Sequence, residues 1–360
     1  MGASSLTPWL QARIATASNG VVEVRESSLG GLGVFAVSNL EKGKIIFDIP
    51  RNLVLLSASD PVRSHPAVAA LAQNKLITSE TLLFSYMCLQ GRDPDNEYFR
   101  SLPADPALLS ACELAGTNVG VQLARDEVEL SQQLVHVNEV EGLGTITLSE
   151  LATAKYNYNS RRFPHWFGLA RTGTEDKGRR IYDQTQGCMC PILDLLNHAT
   201  PPNGEKFLEF DISADPSVLR VTTCIPVAAG QEIFHDYGCV SNDQLLLQFG
   251  FCNRQMPELD LFTVVTGGRR YDLSGDLIAL PPHLIGDGGY GLLTHLRTKL
   301  HEMEGATRSA NSEVTFFMAQ QVNLLSRLCD GLLLLGAHDD GESTDEDDGF
   351  EDDGSEDGEF

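Results

Sequence analysis

The sequence predicts an α+β fold in which a β core is split by helices and followed by more of them. Three observations carry this. Short strand-like runs cluster near the N-terminus and again between residues 219 and 237, a stretch of three- and four-residue apolar periodicity separates them, and two long amphipathic patterns follow residue 290. At 360 residues, with 42% hydrophobic and 21% charged, the chain has room for more than one core.

Each element has its own signal. Residues 21–25 and 33–36 read as strands around a glycine turn, and 44–49 as a third strand closed by Pro50. From about 60 to 151 the pattern is helical. Val68, Leu71 and Ala72, then Leu82, Leu83, Tyr86 and Met87, recur at helical steps, with Ser79 before Glu80 and Ser149 before Glu150 as helix starts. Residues 219–225 and 232–237 return to strand character across a turn at 226–230. Leu292, Leu296, Leu300 and Met303 then share one helical face, as do Phe317, Leu324, Leu325, Leu328 and Leu332.

Charge narrows the partners. The net charge is −24, but residues 339–360 hold 13 of the 50 acids and no Lys or Arg, leaving 37 acids against 26 bases elsewhere. This tail cannot bury enough apolar surface to offset its ordering entropy and is expected to be disordered. An acidic chain is a poor match for nucleic acid, whose phosphates need Lys and Arg, and suits a basic, lysine-containing protein substrate. No apolar run reaches the length of a membrane span, so no membrane partner is expected.

Eight cysteines, at 88, 112, 188, 190, 224, 239, 252 and 329, lie mostly in apolar stretches without a secretory signal. They read as buried free thiols of a cytoplasmic or nuclear protein. Cys188-Met189-Cys190 alone is a weak metal signal, and no metal site is expected.

Chemistry concentrates in three places. Gly30, Gly31 and Gly33 strip side chains from a turn, which permits positive φ or close approach of a ligand, although a plain hairpin has the same composition. Asn197 and His198 close the apolar run 192–196, where an Asn-His pair can also be no more than a helix C-cap. Tyr237 ends the second strand-like run and is followed by Gly238.

Gly30-Gly31-Leu32-Gly33, Asp194-Leu195-Leu196-Asn197-His198 and Asp236-Tyr237-Gly238 together resemble the three-part signature of SET-domain methyltransferases, over about residues 19–254. Ser160-Arg161-Arg162-Phe163 is similar to the Ser-Arg-x-Phe of the branch containing the RuBisCO large-subunit methyltransferase. The resemblance implies small curved sheets with pseudoknot-like threading. It also implies the divisions 1–59 and 186–254 for the SET domain, 60–185 for a mainly helical insertion, 255–336 for a helical substrate-recruiting domain and 337–360 for the tail.

It implies S-adenosylmethionine as cofactor, held by Gly30, Gly31, Leu32, Ser160, Arg161, Asn197, His198 and Phe249, with Asp194 fixing the turn. It assigns Tyr237 as the catalytic residue, orienting an attacking nitrogen, and gives a substrate channel walled by Phe163, Leu193 and Phe251, with Trp166 a weaker candidate. The C-x-C-x4-C zinc cluster that closes many histone-directed members is missing after Tyr237.

The expected reaction is therefore methylation of a lysine amine in a non-histone protein by a monomeric enzyme. An actin histidine methyltransferase of the same branch is the alternative, but it carries Trp and Asn where this chain has Leu193 and Phe163. A catalytically silent SET-like binding module is the third reading.

Overall fold

A computed structural model gives the architecture for residues 8–57, 59–104, 106, 108–140, 144–164, 167, 187–201, 205–212, 215, 217–238, 241–254, 261–266, 269–273, 290–306 and 308–339. The elements run α1 (Pro8–Ser18), β1 (Val22–Glu26), β2 (Leu32–Ala36), β3 (Ile45–Pro50), α2 (Asp60–Arg63), α3 (Pro66–Leu71), α4 (Ser79–Arg92), α5 (Glu97–Ser101), α6 (Asn118–Asn138) and α7 (Leu148–Arg161). They continue with β4 (Arg162–Pro164), β5 (Gly187–Met189), β6 (Asn197–His198), β7 (Leu208–Asp211), β8 (Val218–Thr223), β9 (Glu232–His235) and α8 (Asn242–Phe249). Last come β10 (Phe262–Thr266), β11 (Arg269–Leu273), α9 (Tyr290–Glu304) and α10 (Ser312–Asp339). Trp166, Cys239 and the tail from residue 340 lie outside the described residues.

The strands form small sheets. One has the order β1-β2-β9-β6, a second β3-β8-β7, and two hairpin pairs join β4 to β5 and β10 to β11. β6 pairs parallel with β9, Asn197 opposite Phe234 and His198 opposite His235, while the β7–β8 hairpin between them belongs to the other sheet. That crossing brings the two halves of the signature side by side. β8 alternates as a one-sided strand should, with Leu219, Val221 and Thr223 buried.

One core lies beneath these sheets and takes in Val34, Phe47, Leu193, Leu196 and Ile233. A second belongs to α2–α7 and includes Leu71, Leu83, Leu151 and Tyr158. The third joins α9 to α10 through Leu292, Leu296, Met303, Leu324, Leu325, Leu328 and Leu332, as the periodicity requires. A fourth, of Leu114, Val119, Leu246, Cys252, Val314 and Phe317, ties α10 to α8 and to the start of α6. Among the described residues no helix is long and apolar enough to cross a membrane.

The structure corrects several sequence expectations. Helix α4 begins at Ser79 as expected, with Thr78 as its N-cap, whereas α7 begins at Leu148, one residue before Ser149, with Thr147 as its N-cap; the threonine hydroxyls accept from the Thr81 and Glu150 amides. Thr147 and Glu150 form a reciprocal capping box, which fixes the glutamate at the third helical position. The run 192–196 holds only a single 3₁₀ turn, Leu193–Leu195, after which Asn197 and His198 are strand, so the helix C-cap reading fails. Cys112 is exposed and Cys224 partly so, whereas Cys88, Cys188, Cys190, Cys252 and Cys329 are buried. Strands β7, β10 and β11 had no clear sequence signal.

Candidate active site

The glycine turn is built for backbone approach. Gly30 and Gly31 have φ of 95° and 69°, are exposed, and a Cβ on either would meet nothing within 4 Å among the described residues. Gly33 instead makes room for its neighbours, since a Cβ there would run into the Glu232 carboxylate and lie 3.1 Å from Asn197 Nδ2. Gly33→Ala is therefore expected to destabilise the protein by about 2 kcal/mol through overpacking, read as a lowered denaturation midpoint.

Asn197 is held rigidly on one side only. Its Nδ2 donates to Leu32 O at 3.1 Å and to Glu232 Oε1 at 2.7 Å, while Glu232 Oε2 accepts from Ser27 Oγ at 2.9 Å. Both bonds fix the carboxamide orientation and turn Oδ1 away as an acceptor. Glu232 thus links the glycine turn to the Asn-His segment, a role that sequence reasoning missed.

Asp194 anchors the turn before that segment, as expected. Its side chain is 2% exposed, accepts from Tyr98 Oη at 2.9 Å and lies 3.5 Å from Arg161 Nη1, which also donates to Asp194 O at 3.1 Å. Burial raises the Asp194 carboxyl above its ordinary value, with Arg161 as the main opposing influence. The preceding Ile192 has φ 85° and ψ −52°, a conformation that costs a β-branched residue on the order of 1–3 kcal/mol and persists because its surroundings enforce it. Arg161 Nε is buried with no partner among the described residues, so one donor of the guanidinium fork remains for an anion. Ser160 Oγ turns back onto Asn157 O at 3.4 Å.

Tyr237 stands at the centre. Its hydroxyl donates to Leu196 O at 2.8 Å and its amide donates to His198 Nδ1 at 3.2 Å. Around its ring lie Phe249 at 4.4 Å, His198 at 5.1 Å and His235 at 5.8 Å, centroid to centroid. Phe251 packs 5.8 Å from His198 and 6.2 Å from Phe249, and Phe163 stacks on His235 at 5.7 Å and 19°. Tyr237, Phe249, Phe251 and His198 thus share one ring cluster, with Phe163 one ring further away. Leu193 is fully buried in the core beneath the sheets.

His235 was not singled out from the sequence, yet strand alternation puts residues 235 and 237 on one face, a usable signal. Burial pushes its imidazole down to about 4, with His198 adding to the depression and Asp236 partly offsetting it. His198 is lowered as well, chiefly by burial, which keeps Nδ1 an acceptor for the Tyr237 amide. A depressed histidine contributes stability that is present above its unfolded value near 6.5 and is lost as pH falls toward about 4. His235→Phe is expected to retain on the order of 2 kcal/mol more stability than wild type at pH 4 relative to pH 7, measured by urea denaturation.

The residues present fit S-adenosylmethionine. The orphaned Arg161 Nε suits its carboxylate, Asn197 Oδ1 suits its ammonium, and the open turn at Gly30 and Gly31 admits its bulk.

Comparison with known proteins gives the same picture. The chain is 46% identical over 63 residues to the N-lysine methyltransferase setd6 of Xenopus tropicalis, which is 18% of this chain and 13% of that protein. It is 30% identical over 94 residues to the protein-lysine N-methyltransferase EFM1 of Saccharomyces cerevisiae, 26% of this chain and 14% of that one. The match therefore spans about one eighth of the length of these relatives.

Its fold aligns with Rubisco LSMT bound to AdoMet at a TM-score of 0.69, 12% identity, covering 94% of this chain and 93% of the other. The SET domain of LSMT bound to lysine and AdoHcy aligns at a TM-score of 0.69, 13% identity, over 93% and 92% of the chains. The SET domain model matches residues 31–238, more than half of the sequence, and this chain belongs to the SET-domain family.

Proposed function

We propose that this chain is a protein methyltransferase that moves a methyl group from S-adenosylmethionine to a lysine amine of another protein. The observation that carries the reading is the Tyr237 hydroxyl, pinned to Leu196 O at 2.8 Å and enclosed by aromatic rings. Bound S-adenosylmethionine supplies a methyl group activated by a sulfonium. The chain's own residues then align the reactants and exclude water.

Having given its proton to Leu196 O, the Tyr237 oxygen keeps lone pairs for an amine N–H and for weak contacts with methyl C–H groups. The apolar rings lower the pKa of an entering ammonium, so that it arrives as the neutral nucleophile. With S-adenosylmethionine held at Arg161, Asn197, Gly30 and Gly31, the Tyr237 oxygen holds the amine nitrogen in line with the electrophilic methyl, and the proton released from the amine leaves to solvent. Alignment of the two reactants supplies most of the acceleration, and no strong dedicated base is required.

Lysine is supported as acceptor by the relatives named above, by LSMT, whose SET domain binds lysine, and by Phe163, an apolar ring one step from Tyr237 through His235 and suited to an aliphatic stem, whereas Leu193 is fully buried in the core. The free thiols at Cys88, Cys188, Cys190, Cys252 and Cys329 fit a reducing compartment. Mass spectrometry of methylated residues in cells with and without the protein tests the acceptor. Loss of specific methyl-lysines supports the reading, whereas loss confined to methyl-histidine transfers the activity to imidazole. Failure of the purified chain to take up S-adenosylmethionine in a calorimeter would leave only a binding module.

A further inference from the structure

The segment after α8 walls the acceptor side of the site and is fastened to three neighbours. It turns sharply at Gly250, φ 77°, where a Cβ would lie 2.9 Å from Tyr156 Oη. Asn253 N donates to Asn242 Oδ1 at 2.6 Å, and Asn253 Nδ2 reaches Thr200 Oγ1 at 3.4 Å. The third attachment comes from the first turn of α10. Glu313 Oε2 accepts from Cys252 N at 2.9 Å, and its Oε1 pairs with Arg254 Nη2 at 2.6 Å. Arg254 also reaches Ser312 O at 3.4 Å and lies 4.8 Å over the Phe316 ring. Glu313 is itself oriented by its amide, which donates to Asn311 Oδ1 at 2.9 Å.

We propose that Glu313 is a positioning residue for the acceptor channel, through which the C-terminal helix pair sets the placement of Phe251 beside His198 and Tyr237. This rests on the methyltransferase reading above. The path is short: Cys252, bonded to Glu313 and buried in the cluster with Val314 and Phe317, is covalently joined to Phe251. Phe251 packs on Phe249, whose ring lies 4.4 Å from Tyr237. The Arg254 pair is too exposed, at 49%, to contribute much by itself. The charge-assisted bond to the Cys252 amide is the stronger tie.

None of these contacts involves Gly30, Gly31, Asn197 or Arg161, and His198 and Phe249, expected at the cofactor, keep their own packing on Tyr237 when Phe251 moves, so Glu313 acts mainly on the acceptor. A protein bound to α9 and α10 would act on the channel through the same carboxylate. The C-terminal helices are then part of the reaction geometry as well as a recruiting surface.

The test uses the full chain, poly-L-lysine as acceptor and S-adenosylmethionine with a tritiated methyl. Glu313→Ala is expected to lower kcat/KM for poly-L-lysine about tenfold or more, because small misplacements at the reacting centre are costly. Glu313→Gln, whose carboxamide oxygen still accepts from Cys252, should stay within about threefold of wild type. Both should bind S-adenosylmethionine within about twofold of wild type by calorimetry. Unchanged kcat/KM in Glu313→Ala, or a parallel loss of cofactor affinity, overturns the proposal.

A second readout needs no turnover. In protein labelled with 4-fluorophenylalanine, the Phe251 resonance, assigned with Phe251→Leu, should shift or broaden in Glu313→Ala, and an unmoved resonance also overturns it. Wild-type protein that binds cofactor yet never methylates poly-L-lysine counts against the enzyme reading, while the fluorine spectrum still decides the positioning.

Discussion

Tyr237→Phe is expected to slow methyl transfer by about 100-fold or more while leaving S-adenosylmethionine affinity within about twofold. The hydroxyl has two partners to lose, Leu196 O at 2.8 Å and the entering amine. The ring keeps its place, because Phe249 packs 4.4 Å from it and the backbone amide remains bonded to His198 Nδ1. Loss of the Leu196 bond should cost only about 1 kcal/mol of stability. The residues assigned to the cofactor, Asn197 and Arg161, make no use of the hydroxyl. Single-turnover kinetics on poly-L-lysine together with calorimetry separates the two quantities, and a fully active variant would remove Tyr237 from its assigned role.

Arg161→Ala should show the largest effect on stability, a loss of about 3–5 kcal/mol, because it strands a buried carboxylate. Asp194 keeps the Tyr98 hydroxyl but loses the cation that opposes its burial. The pH dependence has a definite sign. The Asp194 carboxyl is raised in the folded state, so its contribution is present in full below the ordinary value of 3.8 and is lost as pH rises through the folded value. Removing Arg161 raises that folded value further. The gap between variant and wild type should therefore narrow on acidification, as urea denaturation at pH 5 and pH 7 would show. Cofactor affinity should fall more than tenfold, since the unpartnered Nε goes with the side chain.

Much of this was legible in the sequence, for physical reasons. The glycine turn, the Asn-His pair and Tyr237 sit at chain positions whose local chemistry is unusual, so they stand out from any solvated or core background. Helices α9 and α10 were legible because an amphipathic face repeats over many turns. The two-residue strand β6 was not legible, since its partner among the described residues is β9, with Asn197 opposite Phe234 far along the chain, and no local period marks so short a segment.

Long-range polar partners were equally invisible. Glu232 on Asn197, Tyr98 on Asp194 and Glu313 on Cys252 are single acids or hydroxyls whose meaning comes from a contact across the fold. His235 lies between these cases. Its two-residue spacing from Tyr237 was a signal left unread, and its neutral state follows from the Phe163 and Phe210 rings against it, which only the folded chain supplies.

The central claim is that the ring cluster around Tyr237 delivers a methyl group from S-adenosylmethionine to a lysine amine. Incubation of the purified chain with cell extract lacking it, and with S-adenosylmethionine bearing a deuterated methyl, tests this in one step. The account predicts the deuterated label on lysine Nζ of particular proteins, abolished in parallel reactions with Tyr237→Phe. Label on histidine ring nitrogens alone, or no label while the cofactor is bound, would contradict it.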